Sequence, residues 1–241
     1  MINTEWLAEN FPKNCVIFDI GCAEMQDTLE FKKLLPNNTY YAFECADFWK
    51  EDNLSKAKQH GIHYYHTAMS DTANGITFYP SKKFKERDWN WSGTQFKPGN
   101  YIQNVHGIEF GSPIKIDSIT LNDFCRENLL HPDFIHIDVE GSEYAVLNDM
   151  DPKIRPNAIW AEIGSFHLHE SKTSYKQFRD CMIIQGYKEI YVDNQDALYV
   201  LIHFQSTPYP KPSSPPFDAE WYRDAFSPKL QYFYKNYYYK P

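Results

Sequence analysis

Carboxylates are concentrated in one short stretch of the chain, FIHIDVEGSEY at residues 134–144. An apolar run ends among Asp138, Glu140 and Glu143, which predicts a buried parallel strand ending at Val139, then a turn and a helix from about Ser142. Open α/β sheets bind ligands at the carboxyl ends of their strands. We therefore predict that these acids bind a ligand or move a proton; the competing interpretation is a solvated turn followed by acids favoured in a helix's first turn.

Two further acids end predicted strands nearer the amino terminus. Asp19 ends the run CVIFDI and is followed by Gly21, and Glu44 ends TYYAFE 25 positions later. This spacing fits one strand–helix–strand step. A carboxylate at the end of the second strand can accept hydrogen bonds from both ribose hydroxyls, and the turn at Gly21 can present backbone amides to a carboxylate, with Asp19 facing an amino group.

The nature of the ligand follows from what is missing and from the sign of the charge. The chain has neither a GxGxxG fingerprint nor a GKS/T phosphate loop, and clustered acids would repel a phosphate. A cationic cofactor with a ribose and an amino-acid tail suits these residues, and S-adenosylmethionine has those features. Its adenine would lie near Cys45 and Met69, with Ser70 or Asp71 at its amino edge. The predicted cofactor-binding residues are Asp19, Gly21, Cys22, Glu44, Cys45, Met69, Ser70, Asp71 and Asp138.

If such a cofactor passes its methyl group to an acceptor that carries a proton, a positioned base helps. The predicted catalytic residues are Asp138, Glu140, Glu143, Glu162, His136 and His167. His136 lies inside a strand, where a core histidine bonded to a neighbour is the competing interpretation. His167 and His169 could hold a divalent metal, but loop histidines without a ligand are commoner and no metal is predicted.

Hydrophobic patterning supplies the elements that position these residues. Strands are predicted at 15–20, 39–44, 62–67, 75–79, 134–139, 158–163, 187–192 and 198–204, and helices at 28–35, 47–60, 120–130, 142–150 and 175–185. Successive strand–helix units imply a parallel α/β sheet, and the last two strands are expected to form an antiparallel pair at its edge. Residues 81–111 lose this pattern, and their WNWSGT segment is predicted to be either a lid over the acceptor or a plain surface excursion.

The end of the chain differs from the rest in composition, because it is rich in proline and aromatic residues. We predict one domain over residues 1–204, then a Pro-rich linker and an aromatic tail over residues 205–241. A tail this aromatic is expected to pack on the domain or across a homodimer, and to rim the acceptor site.

Composition limits the classes of function. The net charge of -8 argues against a nucleic-acid or anionic-membrane surface. The five cysteines contain no CxxC and indicate reduced thiols. No signal peptide is expected in residues 1–12 and no apolar run approaches bilayer length, so a soluble, cytoplasmic protein is predicted.

Several segments together resemble the FkbM-type methyltransferases. The similarity covers residues 16–162, and the matching blocks are VIFDIGCAEMQDT, YYAFEC, TAMSD, WSGT, IDSITLNDF and FIHIDVEGSEYAVLNDM. It implies a class I, Rossmann-like methyltransferase domain with a mostly parallel seven-stranded sheet, which transfers a methyl group from S-adenosylmethionine to a hydroxyl of a sugar or natural-product-like small molecule. The matching residues are Asp19, Gly21, Glu44, Asp71, Asp138, Glu140, Gly141 and Glu143.

The chain departs from the family pattern at three positions. Ala23 and Met25 stand where the family usually has Asn and Gly, and His136 stands where it usually has Lys. Ala23 and Met25 keep open a second hypothesis, a cofactor-binding but inactive partner subunit. A nucleic-acid methyltransferase is a third, disfavoured by the acidic charge and the missing NPPY-type motif.

Overall fold

A computed structural model describes residues 2–104, 106–165, 169, 173–193 and 195–210 of the chain. Its strands are β1 Val16–Ile20, β2 Thr39–Phe43, β3 His63–Tyr65, β4 Ala68–Met69, β5 Ile76–Phe78, β6 Ser81–Phe84, β7 Arg87–Asp88, β8 Ile108–Phe110, β9 Ile114–Ile116, β10 Ser118–Ile119, β11 Phe134–Ile137, β12 Ala158–Glu162, β13 Tyr187–Val192 and β14 Asp196–Leu201. Its helices are α1 Thr4–Asn10, α2 Gln26–Leu34, α3 Lys50–His60, α4 Asn100–Asn104, α5 Leu121–Asn128, α6 Glu143–Leu147 and α7 Tyr175–Ile184, with a 3-10 turn at Asp47–Trp49 before α3.

The main sheet has seven strands in the order β13-β14-β12-β11-β1-β2-β3. The five strands from β12 to β3 are parallel, whereas β14 runs antiparallel to both β12 and β13. All four residues of β11 are buried, as expected for a central strand covered on both faces. The predicted α/β fold, with a mostly parallel seven-stranded sheet and an antiparallel edge pair, is confirmed.

Side chains alternate along β1 and so divide the core into two layers. Phe18 and Ile20 pack into the layer that also holds Phe124 of α5. Ile17 packs into the opposite layer with Trp6 of α1 and Phe134 of β11. The strands are therefore rigidly held, and their carboxyl ends form a stable platform.

Helix boundaries follow local capping signals. α3 ends at Gly61, whose φ of 64° is the left-handed conformation predicted there. Thr120 caps α5 by accepting a hydrogen bond from the Asp123 backbone N–H. The helix α1 was not predicted, although Asn3 caps it through its side chain and the Trp6 backbone N–H.

Two predicted boundaries near the acidic stretch are wrong. β11 ends at Ile137 rather than Val139, because the Val139 N–H donates to the Glu143 carboxylate instead of extending the strand. α6 ends at Leu147 rather than Met150, because Asn148 is extended, with φ -68° and ψ 127°.

Residues 81–111 contain more regular structure than their sequence pattern predicts. β6 pairs antiparallel with both β7 and β8, which makes a small three-stranded sheet. Its strands have only two to four residues, too few for alternation to stand out. Nearby, the strand predicted at 75–79 is present as β5 and pairs with β9.

The chain after β14 turns back along α1. The backbone carbonyl of Thr207 accepts from the Trp6 indole at 2.9 Å, and the Tyr209 hydroxyl accepts from the Asn3 backbone N–H at 2.9 Å. The Tyr209 ring lies 5.6 Å from that of Trp6 and 4.9 Å from that of Tyr191. We call this contact of residues 205–210 with α1 the C-terminal clasp. The domain boundary at residue 204 stays a prediction. The packing of the aromatic tail also stays a prediction, because residues 211–241 lie outside the described residues.

Within the ranges described above, no helix combines the length and apolar character needed to cross a membrane.

Candidate active site

A cleft opens at the carboxyl ends of β1, β2 and β11. Its walls are residues 43–46 after β2, residues 138–140 after β11 and the loop 89–95, and Gly21 lies at its base. The empty volume, with the open mouth included, is about 890 Å³. The cleft therefore lies at the edge of the sheet where the sequence predicted a ligand site.

Gly21 brings two strand ends into close contact. Its φ is +85°, and a Cβ at this position would lie 1.8 Å from the backbone oxygen of Asp138. Its N–H donates to the Phe43 carbonyl at 2.9 Å. Only glycine therefore allows the β1 turn to lie against both β2 and β11.

Glu44 joins the turns after β1 and β2. Its Oε2 accepts from the Ala23 N–H at 3.0 Å, and its Oε1 accepts from the Ala46 N–H at 2.7 Å. Burial raises the pKa of Glu44, and these two N–H donors oppose the rise. The Cys45 backbone N–H also opposes the rise, and because a carboxylate has about four acceptor positions, these donors do not take up the whole of its capacity.

The other predicted cofactor residues divide into two groups. Cys45 and Met69 line the cleft with Glu44. Ser70 lies behind Met69, where its hydroxyl contacts Asp71 and the side chain of Gln95, which does line the cleft. Cys22 packs in the core on the α1 side of the sheet, where burial raises the pKa of its thiol.

Asp19 and His136 form a buried pair behind the cleft. His136 Nδ1 lies 2.8 Å from Asp19 Oδ1, and the Thr28 hydroxyl donates to the other oxygen of Asp19. Burial disfavours the imidazolium, but the Asp19 carboxylate outweighs it and raises the pKa of His136 to about 9. Neither residue lines the cleft. Their hydrogen bonds instead connect β1 with β11 and α2. The sequence had predicted that Asp19 would contact an amino group of the cofactor and that His136 would be catalytic, and this position does not bring either side chain to the cleft.

The WNWSGT loop covers the cleft. Trp91 lies 5.3 Å from Trp49 and 5.0 Å from Trp89, centroid to centroid. The Thr94 hydroxyl donates to the backbone carbonyl of Glu140 at 2.8 Å, which fixes the loop to the end of β11. Of the two interpretations offered by the sequence, this placement favours a lid over a plain surface excursion.

Three carboxylates meet beside the cleft. Asp138 lines it, and one oxygen each from Asp138, Glu143 and Glu162 lie within 4.8 Å of one another. Glu143 is fully buried, and its Oε1 accepts from the N–H groups of Val139 and Gly141 at 2.9 and 3.3 Å. Burial raises the pKa of all three, and the neighbouring Glu140 carboxylate raises each of them further.

Glu140 and His169 face each other across the same end of β11. Glu140 is held at a φ of 51°, a strained conformation for a residue with a side chain. Its Oε2 lies 3.8 Å from Nε2 of His169, whose side chain is fully buried. His167, predicted as catalytic, lies outside the described residues. The HxH pattern was the only sequence signal for His169, and none indicated the roles of Thr94 and Gln95.

This strand order, with a cleft at the carboxyl ends and an acid after the second strand, agrees with the class I methyltransferase fold that the sequence predicted. Residues 20–189 match the family described as Methyltransferase FkbM domain, and the chain belongs to that family.

Relatives and solved structures extend this comparison. The chain is 27% identical to the 2-O-methyltransferase NoeI of Sinorhizobium fredii over 173 residues, 69% of this chain and 70% of that protein. It is 29% identical to Methyltransferase 1 of Beauveria bassiana over 156 residues, 58% of this chain and 60% of that protein. A solved structure of precorrin-6y C5,15-methyltransferase from Geobacter metallireducens overlaps 81% of this chain and 84% of its own, with TM-score 0.43 and 11% identity.

Proposed function

We propose that this methyltransferase modifies a hydroxyl oxygen of a sugar or similar small molecule. The observation that carries the proposal is the division of the cleft, with Glu44 on one side of Gly21 and Asp138 and Glu140 on the other. One side suits a ribose and the other suits the loss of a proton from an alcohol.

The residues on the Glu44 side fit S-adenosylmethionine. Glu44 lines the cleft and can accept from a ribose hydroxyl, and Gly21 lets the turn after β1 lie against the end of β11. Cys45 and Met69 supply an apolar wall for the adenine. When bound, the cofactor supplies an electrophilic methyl group on a cationic sulfur.

The turn after β1 keeps its shape without the family's second glycine. Ala23 and Met25 both have positive φ, 41° and 68°, in the region that glycine occupies most easily. The Ala23 N–H still reaches Glu44. The turn therefore still contacts the acid after β2 despite the departures from the family pattern, which supports an active enzyme over an inactive partner subunit.

Glu140 is the base that this arrangement supports best. The acceptor oxygen forms a bond to the methyl carbon and must lose its proton, and the Glu140 carboxylate lines the cleft where that proton would leave. Nε2 of His169 lies 3.8 Å from this carboxylate, so the imidazole lies beside the proposed base. Asp138 lies on the same wall and would orient the hydroxyl.

A sugar-like acceptor is supported by the surface that remains. Trp89 and Trp91 line the mouth of the cleft together with polar groups of Asn90 and Gln95. Flat aromatic rings beside hydrogen-bonding groups suit a molecule with apolar faces and hydroxyl edges. The name of the relative NoeI, a 2-O-methyltransferase, agrees with an oxygen acceptor.

Methyl transfer from labelled S-adenosylmethionine to a panel of free sugars, nucleotide sugars and glycosides tests the proposal. Glu140→Gln should lower kcat about 10²- to 10⁴-fold, the usual contribution of a general base, with the Kd for the cofactor unchanged. Glu109→Gln, an exposed acid on β8, is the matched control and should keep full turnover.

The same assay separates the competing functions. Cofactor binding with no transfer to any hydroxyl acceptor would indicate the inactive partner subunit. Transfer to RNA or DNA, with binding that weakens steeply with salt, would indicate a nucleic-acid methyltransferase. A Glu140→Gln variant with normal turnover would remove Glu140 as the base.

A further inference from the structure

We propose that Asp138, Glu143 and Glu162 form a binding site for an oxygen-seeking divalent cation of the Mg²⁺, Mn²⁺ or Ca²⁺ type. The three residues come from the end of β11, the first turn of α6 and the end of β12. The sequence predicted no metal and pointed only to the His167 and His169 pair as an alternative. The fold instead brings together three acids that are up to 24 positions apart.

The spacing of the oxygens fits a shared cation. One oxygen from each acid lies within 4.8 Å of the other two, so a point no more than about 2.8 Å from all three exists, close to the usual Ca²⁺–oxygen distance of about 2.3–2.6 Å. Small side-chain rotations would bring them to the ~2.1 Å of Mg²⁺. Carboxylates without thiol or imidazole ligands favour this class of hard cation over zinc or copper.

The bonding of Glu143 is a separate reason to infer a ligand. This side chain is fully buried, and its Oε1 takes both available backbone N–H groups while its Oε2 has no hydrogen-bond partner among the described residues. Oε2 of Glu162 also lacks a partner in the described part of the chain. A buried carboxylate oxygen without a donor is costly, and a cation at the centre of the cluster would satisfy both.

The position of the cluster suggests what the cation does. Asp138 is the one member that also lines the cleft, so a bound cation would be reached from the acceptor side with coordination positions still open. If the proposed hydroxyl acceptor is correct, its oxygen can take one of these positions. Coordination lowers the pKa of a bound hydroxyl and would help Glu140 to remove the proton.

A titration of the full-length protein with Mn²⁺ tests the site. The loss of the electron paramagnetic resonance signal of the free ion measures how much Mn²⁺ is bound. We expect one Mn²⁺ per chain and at least a tenfold weaker Kd in Glu162→Gln and in Asp138→Asn. Glu109→Gln is the control and should bind as the wild type does. Circular dichroism and thermal unfolding of each variant show whether it has folded. Glu162→Gln is the primary variant, because Glu143 also supports the turn before α6.

The outcome is independent of the acceptor, because neither cofactor nor sugar is present in the titration. Stoichiometric Mn²⁺ binding that depends on Asp138 and Glu162 supports the site even if no sugar is ever methylated. Failure to bind Mn²⁺ at millimolar concentration and pH 8 overturns it and leaves shared protons as the way the acids are neutralised. Binding that is unchanged in both variants overturns it as well.

Discussion

Glu44 shows how one side chain can have both a structural and a binding role. Its carboxylate accepts backbone N–H groups from Ala23 and Ala46, which belong to different turns. The same residue lines the cleft. The ribose site and the shape of the two turns therefore depend on the same carboxylate.

Glu44→Ala should weaken S-adenosylmethionine binding by about 1–3 kcal/mol, because the ribose hydroxyls lose a charged partner. Isothermal titration calorimetry measures the Kd directly. Glu51→Ala, an exposed acid at the start of α3, serves as the control and should leave the Kd unchanged. A wild-type Kd in Glu44→Ala would show that the ribose is bound elsewhere.

The pair of His136 and Asp19 predicts a pH dependence of stability. The pKa of His136 is raised from 6.5 to about 9 in the folded protein. A raised folded-state pKa gives stabilisation that is complete below pH 6.5 and is lost as the pH rises through about 9. At 1.36 kcal/mol per pKa unit the change is on the order of 3 kcal/mol.

Urea unfolding of wild type and His136→Asn between pH 6 and 10 measures this effect. Asparagine keeps a donor toward Asp19 but cannot titrate, so the variant should lose less free energy of unfolding over this range than the wild type. Equal slopes in the two proteins would mean that His136 is neutral throughout and that the pair is an ordinary hydrogen bond.

Turns and helix ends separate what could be predicted from what could not. The αL end of α3 at Gly61 and the cap of α5 at Thr120 depend on neighbouring residues only, and the sequence predicted both. The early end of β11 depends on where the Glu143 side chain reaches, which no local pattern records.

The candidate site shows the same division. Glu44 and Asp138 were predicted to line a cleft because they end strands, and they do. Asp19 also ends a strand, but residue alternation turns it toward the α2 side, where Thr28 and His136 engage both of its oxygens. The meeting of Asp138 with Glu162 depends on the pairing of β11 with β12, which a motif search within one segment does not reveal.

Two glycines with positive φ provide a matched test of the β1 turn. Gly21→Ala places a Cβ 1.8 Å from the Asp138 backbone oxygen, whereas at Gly61 a Cβ meets nothing within 4 Å. We expect Gly61→Ala to cost about 1 kcal/mol and Gly21→Ala to cost more than about 2 kcal/mol. Urea unfolding and the cofactor Kd measure both, and equal costs would contradict the close contact of the β1 and β11 turns.

The whole domain is closed by contacts between its first helix and the residues after its last strand. In the C-terminal clasp, the Asn10 side chain bonds both the hydroxyl and the backbone N–H of Thr207 at 2.8 and 2.9 Å. Trp6 and Tyr209 complete the contact. The clasp joins parts of the chain that are about 200 positions apart.

Truncation after Pro210 and truncation after Phe204 isolate the contribution of the clasp. The shorter protein should be less stable than the longer one by about 2–4 kcal/mol, because it loses several hydrogen bonds and the burial of Tyr209. Thermal unfolding compares the two. Equal melting temperatures would show that the clasp does not contribute to the stability of the domain.

Comparison of the Pro210 truncation with the full chain tests the predicted role of the aromatic tail. If solubility, oligomeric state and turnover are all the same in both, the tail has no part in packing, dimer formation or acceptor binding. A loss of turnover with an unchanged cofactor Kd would connect the tail to the acceptor side of the cleft.

The direction of the clasp decides where the rest of the chain starts. Thr207 lies beside Asn10 and Tyr209 beside Asn3, and the Asp193 and Asp196 charges at the start of β14 act on Tyr209. Asp196 pairs with Glu162 at the carboxyl end of β12. The residues after Thr207 therefore run toward the edge of the sheet at which the parallel strands end. β14 is three strands from β1, about 15 Å away at the usual strand spacing. Pro210 follows Tyr209, which lies beside Asn3 of the α1 cap, so a tag fused directly after Pro210 would begin against the domain that carries the cleft, and purification handles are better removed before turnover is measured.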